Sequence, residues 1–194
     1  MRSASLSRKT SETNISVSIT LDGSGTTEIE TGIGFFDHML EQLGKHSLID
    51  LKVKAEGDLH IDPHHTVEDV GLSLGQCLAE ALGEKKGIFR YGHFRLVMDE
   101  ALAAVALDFS GRPHLVWSAP FSNERIGEFD TQLAQEFFQA LSNAANMTLN
   151  ISATGANDHH ICEAIFKGVA KSIRVAVEID PRNKDQIPST KGTL

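Results

Sequence analysis

Two stretches of the chain share one plan: "HHTVEDVGLSLGQCLAEAL" at His64–Leu82 and "HHICEAIFKGVAKSIRVAV" at His159–Val177. Each opens with two adjacent histidines, and a glutamate follows three residues after the second one. When the histidine pairs are superposed, six apolar positions coincide, and their spacing is that of one buried helix face. Those positions are Val67, Val70, Leu74, Leu78, Ala81 and Leu82 in the first stretch, and Cys162, Ile165, Val169, Ile173, Ala176 and Val177 in the second. The sequence therefore predicts two equivalent helices, each beginning with a His-His-x-x-Glu motif.

The similarity between the two regions extends upstream of these helices. One helix is predicted around Phe35–Leu43 and another around Leu133–Leu141, because apolar residues recur there at helical spacing. A short alternating strand follows each helix, with "LKV" at Leu51–Val53 in the first case and "LNI" at Leu149–Ile151 in the second. The register of the helix and the strand is thus repeated without a gap.

A glycine-containing turn precedes each of these helices. The turns are "LDGSG" at Leu21–Gly25 and "LDFSG" at Leu107–Gly111, and each follows an alternating run, so both indicate hairpins. We therefore predict an α+β fold, an internally duplicated domain in which two β-β-α-β-α halves pack together. Residues 1–87 form the first half-repeat and residues 88–194 the second, which ends in a polar tail.

Composition excludes several classes of protein. The chain has 194 residues and a formal net charge of −8, which argues against a general nucleic-acid binder. No apolar run is long enough to span a membrane, and the N-terminal "MRSASLSRKTSETN" lacks the apolar core of a secretory signal. The two cysteines fall within apolar helical patterns and are expected to be buried thiols of a cytoplasmic protein.

The repeated motif has the ligand types of a metal site. Residues three or four apart share a helix face, so each glutamate can converge with a histidine of its own motif, whereas adjacent histidines diverge by about 100°. Imidazole nitrogen and carboxylate oxygen suit Mn²⁺, Fe²⁺, Co²⁺, Ni²⁺ or Zn²⁺. The alternative is a set of surface histidines near helix starts. Aligning the halves adds one candidate each, which gives eight, enough for two four-ligand metals: His38, His64, His65, Glu68, Glu136, His159, His160 and Glu163.

The chain resembles imidazoleglycerol-phosphate dehydratases. The resemblance rests on six stretches in the family's order between Glu12 and Leu194: "TGIGFFDHMLEQL", "GDLHIDPHHTVEDVG", "MDEALA", "SGRP", "NDHHICEAIFK" and "IPSTKG". It implies a monofunctional lyase of histidine biosynthesis that dehydrates imidazole glycerol phosphate to imidazole acetol phosphate. It also implies a ribosomal protein S5 domain 2-like fold and an assembly of 24 subunits built from trimers.

The resemblance further implies roles for individual residues. Two Mn²⁺ ions per active site would bind the imidazolate form of the substrate, and the carboxylates expected to take part in catalysis are Glu12, Glu68, Asp99 and Glu163. The expected substrate-binding residues, mostly for the phosphate, are Glu12, Gln42, Arg90, Arg112, Lys167, Ser189 and Lys191. One departure from the family is that Glu136 stands where histidine is usual, and another is Asn150 in "TLNI" where "TLHI" is commoner.

Two other functions use the same ligands. A dinuclear metallohydrolase would direct a metal-bound hydroxide at a phosphate ester. A metal-storing or metal-assembled shell protein would need the histidines but not the basic residues Arg90, Arg112, Lys167 and Lys191. The presence of those basic residues favours an enzyme that acts on a phosphorylated substrate.

Overall fold

The computed structural model of the protein describes residues 1–194 and contains ten strands and four helices. The strands are β1 (Ser3–Lys9), β2 (Thr13–Thr20), β3 (Thr27–Glu30), β4 (Asp50–Gly57), β5 (Tyr91–Met98), β6 (Ala101–Asp108), β7 (His114–Ser118), β8 (Arg125–Ile126), β9 (Phe129–Asp130) and β10 (Thr148–Thr154). The helices are α1 (Gly34–Ser47), α2 (His64–Leu82), α3 (Gln132–Ala144) and α4 (Asp158–Val177).

The strands form two four-stranded sheets of the same design. Their orders are β1-β2-β4-β3 and β5-β6-β10-β7, and β8 pairs with β9 in a small separate hairpin. In each sheet the strand after the first helix lies between an antiparallel neighbour and a parallel one: β4 between β2 and β3, and β10 between β6 and β7. The α+β class and its strand-helix pattern are therefore confirmed, and each half also begins with an additional edge strand, β1 or β5.

The turns "LDGSG" and "LDFSG" do not close hairpins, contrary to the expectation from their glycines. Leu21–Gly25 leads from β2 to β3, but β4 lies between those two strands in the sheet. The hairpins are instead β1-β2, with three residues between the strands, and β5-β6, with two. The chain thus turns at the predicted places, but the strand that follows the first helix of each half, β4 or β10, lies between the two strands that the turn connects.

Each half supplies helices that pack against the other half. α1 packs on α4, and α3 packs on α2, while α2 and α4 also cover the inner faces of the first and second sheets. The α2–α3 contact depends on Gly71 and Gly75, because a Cβ there would lie 2.8 Å from the Phe137 carbonyl oxygen and 2.7 Å from that of Leu141. As a result, 49 buried apolar residues form one continuous core shared by both halves.

The two matching sheet orders support a duplication with a boundary between residues 87 and 88, which remains a proposal. None of the helices is both long and apolar enough to cross a bilayer. The arrangement places the starts of α2 and α4, which carry the His-His-x-x-Glu motifs, beside helices from the opposite half.

Candidate metal centre

One group of three potential metal ligands forms where α1 meets α4. His38 comes from α1, and His159 and Glu163 come from the first turns of α4. Glu163 Oε2 lies 3.0 Å from Nε2 of His159 and 3.5 Å from Nε2 of His38. The ligand atoms of all three lie within 4.8 Å of one another, and no other three His, Cys, Asp or Glu side chains meet at that distance. Two nitrogens and one carboxylate oxygen suit a divalent first-row metal.

Glu163 is the buried member of this group. Its side chain is 7% exposed, against 42% for His38 and 43% for His159. Burial alone would raise the pKa of Glu163, but the hydrogen bond and charge of Lys167, whose Nζ lies 2.5 Å away, and the hydrogen bond with His159 lower that pKa below its usual value. The site therefore holds a buried ionised carboxylate between two solvent-facing imidazoles, which fits a cation entering from the open side.

The equivalent place in the repeat, where α3 meets α2, holds Glu136, His64 and Glu68. These three do not come as close together as the first group. Two carboxylates and one histidine stand there in place of one carboxylate and two histidines, and Leu72 stands where α4 has Lys167. Like charges repel, which favours a wider spacing until a metal ion binds between them. Glu136, His64 and Glu68 thus remain ligands predicted from the repeat.

The second histidine of each motif faces away from the first. The rings of His64 and His65 have centroids 6.1 Å apart and an interplanar angle of 88°, and those of His159 and His160 have 6.1 Å and 89°. The sequence predicted this divergence. Both motifs therefore present two imidazoles in different directions with the same geometry, which is what two separate metal centres would require.

A carboxylate contacts each of these diverging histidines. Asp58 Oδ2 lies 2.9 Å from Nδ1 of His65, and Glu100 Oε2 lies 2.9 Å from Nδ1 of His160. The hydrogen bond between His65 and Asp58 raises the pKa of the histidine and lowers that of the aspartate. The hydrogen bond with His160, followed by the Asn157 N–H, lowers the pKa of Glu100 to about 2, and the same bond raises the pKa of His160.

The two predicted acid–base residues outside the motifs are on hairpin turns beside the same histidines. Glu12, between β1 and β2, has Oε2 3.9 Å from Nδ1 of His65 and is 53% exposed. Asp99, between β5 and β6, has Oδ2 3.7 Å from Nε2 of His160 and is 78% exposed. Its φ of 49° is in the left-handed region, which aspartate tolerates better than most residues. Both carboxylates are thus accessible next to a candidate ligand.

The predicted phosphate-binding residues fall into two groups. Gln42 lies on α1 with Oε1 3.2 Å from Nε2 of His46, and Lys167 on α4 pairs with Glu163. Burial, followed by the charges of Lys167 and Lys171, lowers the pKa of His46. These residues lie beside the group formed by α1 and α4.

The other group lies where β5, β6 and the C-terminal tail meet. Arg90 donates from Nε and Nη2 to both oxygens of Asp108, and from Nη1 to the Pro188 carbonyl at 2.8 Å. That bond ties down the tail that carries Ser189 and Lys191, and the last residue of the tail reaches Gly111, next to Arg112. No hydrogen bond or ion pair within the chain joins the two groups.

Comparison with known proteins identifies the family. A family model described as imidazoleglycerol-phosphate dehydratase matches residues 31–173. The chain belongs to this family. A curated imidazoleglycerol-phosphate dehydratase from Cereibacter sphaeroides is 60% identical over the full length of both chains, and one from Sinorhizobium fredii is 56% identical, covering all of this chain and 96% of its own.

Solved structures of imidazoleglycerol-phosphate dehydratases have the same fold. The Staphylococcus aureus enzyme superposes with a TM-score of 0.84 at 38% identity, covering 92% of this chain and 99% of its own. The Pyrococcus furiosus enzyme in complex with (S)-C348 gives 0.83 at 34% identity, covering 97% and 100%. The fold is thus that of imidazoleglycerol-phosphate dehydratases.

The sequence did not reveal four polar residues that shape this site: Asp58, Glu100, Asp108 and His46. Glu100 adjoins Asp99 in "MDEALA", and Asp58 opens "DLHIDPHH", so proximity to recognised residues was the only signal. Asp108 contacts Arg90 from the end of β6, which local spacing does not show, whereas His46 contacts Gln42 at an i, i+4 spacing on α1 that the sequence could have revealed.

Proposed function

We propose that this protein is a metal-dependent lyase of histidine biosynthesis that dehydrates imidazole glycerol phosphate to imidazole acetol phosphate. The observation that carries the proposal is the group of His38, His159 and Glu163, which brings together the motifs of the matched family from opposite halves of the chain. A cytoplasmic location remains the prediction from the sequence.

We propose two Mn²⁺ ions per active site. His38, His159 and Glu163 would hold one ion, and His64, Glu68 and Glu136 the other. His65 and His160, which point away from these groups, would complete the coordination of centres at subunit boundaries. When bound, the ions would supply Lewis-acid stabilisation of negative charge on the imidazole ring of the substrate.

The exposed carboxylates of Glu12 and Asp99 would transfer the two protons of the reaction. One proton leaves the carbon next to the one that bears the hydroxyl, and another is added to the departing hydroxyl oxygen to give water. A carboxylate positioned at the reacting atoms can perform either step. Glu68 and Glu163 would act mainly as ligands, since Glu163 already faces two imidazoles and a lysine.

The separation of the two phosphate-binding groups supports a site built between subunits. Gln42 and Lys167 would come from one subunit, and Arg90, Arg112, Ser189 and Lys191 from another. This arrangement, with outward-facing His65 and His160, fits the predicted homo-oligomer of 24 subunits built from trimers. Sedimentation of the metal-loaded protein would measure its mass.

Product analysis tests the proposed function. The purified protein is incubated with imidazole glycerol phosphate and Mn²⁺, and the metal content of the same sample is measured. Imidazole acetol phosphate without release of inorganic phosphate is the expected result. Release of inorganic phosphate would show a metallohydrolase instead, and bound metal without any turnover would show a metal-storing protein.

Replacing Arg112 with alanine is expected to raise KM about tenfold to a hundredfold with normal metal content. A charge-assisted hydrogen bond to phosphate contributes about 1.5–3 kcal/mol, and no proposed ligand is removed. Steady-state kinetics and metal analysis measure both quantities. Arg95→Ala, which removes an exposed arginine from β5, is the control. An unchanged KM would remove Arg112 from the substrate site.

Glu136 is expected to act as a ligand in place of the usual histidine. Carboxylate oxygen is a good ligand for Mn²⁺ and biases a site away from softer metals. Glu136→Ala should therefore lower metal occupancy at one of the two centres and reduce activity sharply, whereas Glu136→His should keep two metals per chain and much of the activity. Full metal content and activity in the alanine variant would show that this residue lies outside the coordination shell.

A further inference from the structure

Asp58 and Glu100 make the same contact in the two halves of the protein, although they come from different places in the repeat. Each places a carboxylate oxygen 2.9 Å from Nδ1 of the second histidine of a motif, His65 or His160. We propose that Asp58 and Glu100 are positioning residues that accept the Nδ1–H of these histidines and so leave Nε2 of each ring as the ligand nitrogen. This inference rests on the proposed metal site.

The sheet register shows that Asp58 and Glu100 are not equivalent positions. Val17 pairs with Val53 in the first sheet, and Val105 pairs with Ile151 in the second, so residue 12 of the first hairpin corresponds to residue 100 of the second. By the same register, residue 58 corresponds to Ala156. Glu12 is therefore the counterpart of Glu100, and Asp58 has no acidic counterpart.

The shorter loop before the second motif explains why Glu100, and not the counterpart of Asp58, contacts the second histidine. Gly155 is the position equivalent to Gly57. Three residues separate Gly155 from His159, whereas six separate Gly57 from His64. With Ala156 at the place of Asp58, the hairpin glutamate contacts the histidine instead. Glu100 Oε1 accepts the backbone N–H groups of Ala156 at 3.1 Å and Asn157 at 2.8 Å, which fixes its Oε2 against the imidazole.

This exchange gives each half one carboxylate that holds a histidine and one that stays accessible. In the first half Asp58, with a side chain 10% exposed, holds His65, and Glu12 stays accessible. In the second half Glu100 holds His160, and Asp99, 78% exposed, stays accessible. The two proposed acid–base residues thus occupy different hairpin positions because different carboxylates already hold the histidines.

The physical effect of such a contact is on the tautomer and orientation of the imidazole. An ionised carboxylate only accepts hydrogen bonds, so in the neutral imidazole the Nδ1 that faces it carries the proton and Nε2 has a free lone pair. Carboxylates that bind the other nitrogen of a histidine ligand typically contribute about 10–100-fold to metal affinity. A contact that only stabilised the loops would not determine which imidazole nitrogen is free to bind the metal.

Amide variants distinguish the two roles, because the two carboxylates differ in their other bonds. The side chain of Asp58 makes its one hydrogen bond with His65, so Asp58→Asn can turn its carbonyl oxygen toward Nδ1 and keep the tautomer. In Glu100→Gln the two backbone N–H groups retain the amide oxygen, and the NH₂ group then faces His160. That group donates, so it favours a proton on Nε2 and removes the ligand lone pair.

The experiment measures Mn²⁺ dissociation constants of the full-length protein at one pH by competition with a chelator. We expect Asp58→Ala and Glu100→Gln to weaken Mn²⁺ binding about 10–100-fold, and Asp58→Asn to stay within a few-fold of the wild type. Glu56→Ala, which removes an exposed acidic residue of β4, should change nothing. A normal dissociation constant in both Asp58→Ala and Glu100→Gln would overturn the proposal.

Nitrogen NMR of histidine-labelled protein loaded with diamagnetic Zn²⁺ provides the second readout. In the wild type and in Asp58→Asn, the resonances of both histidines should show a protonated Nδ1, and in Glu100→Gln the His160 resonance should lose that signature. An unchanged His160 tautomer in Glu100→Gln would contradict the proposal even if metal binding weakens through misfolding.

Two further variants separate failure of this inference from failure of the proposed function. His65→Ala and His160→Ala should weaken Mn²⁺ binding at least as much as loss of their carboxylate partners. If neither histidine variant affects Mn²⁺ binding, the proposed ligand set is wrong and the inference falls with it. If the histidine variants bind weakly but Asp58→Ala and Glu100→Gln bind normally, only the positioning role is wrong.

Discussion

Removal of divalent metal from the purified protein is expected to abolish dehydration of imidazole glycerol phosphate and to reduce the size of the particle. The first consequence follows from the site, because the ligand atoms of His38, His159 and Glu163 lie within 4.8 Å of one another, close enough to bind one cation. The second follows from the outward direction of His65 and His160. Ligands shared between subunits couple the free energy of metal binding to association.

The measurement compares activity, metal content and sedimentation before and after dialysis against a chelator. Addition of Mn²⁺ should restore all three, and dialysis against chelator already saturated with Mn²⁺ is the control for effects of the chelator itself. Full activity in stripped protein would refute the metal-dependent mechanism. Loss of activity with unchanged particle size would refute only the sharing of ligands between subunits.

The helices of this fold were predictable because their pattern is local and repeated. The apolar positions that coincide between the two motif helices are the ones that face the core in α2 and α4. Helical periodicity predicts a helix whichever element packs against it, because the same apolar face is buried in each case. The same reasoning found α1 and α3, including the placement of His38 and Glu136.

The partners of the edge strands β3 and β7 were predicted wrongly, because the neighbour of a strand is set by the whole sheet and not by the turn that precedes the strand. β3 has the sequence "TEIE" and alternates between half-buried and exposed positions, with no fully buried residue. Its pairing with β4 forms only after the chain has passed through α1. Turn chemistry located the reversal at Leu21–Gly25 but carried no information on which strand would lie beside it.

The candidate ligands of the site were visible in the sequence, but the groups that contact them were not. A histidine pair followed by glutamate is visible in the sequence, whereas the contact of Asp58 with His65 spans a loop and that of Glu100 with His160 spans 60 residues. Arg90 was expected at the phosphate, and its guanidinium also binds Asp108 and the carbonyl of Pro188. Such contacts depend on tertiary structure, so residue types at a spacing do not specify them.

Substitution of Glu163 by glutamine is expected to have a larger effect than loss of any other single proposed ligand. The amide keeps the volume of the side chain, and therefore the packing of a residue that is 7% exposed, but removes its charge. Lys167, 2.5 Å away in the native protein, would then face His38 and His159 without an anion to offset it. The position would repel a divalent cation in addition to lacking one ligand.

The expected result for Glu163→Gln is one metal per chain instead of two, with kcat lower by at least about a thousandfold, equivalent to roughly 4 kcal/mol of barrier. Metal analysis and steady-state kinetics on the same sample measure both. Glu41→Gln is the matched control, because Glu41 lies on α1 with Oε2 3.8 Å from Nδ1 of His38 but is 53% exposed. Lys167→Met should instead keep two metals and raise KM. Two metals and near-normal turnover in Glu163→Gln would place the metal elsewhere, since no other carboxylate contacts both His38 and His159.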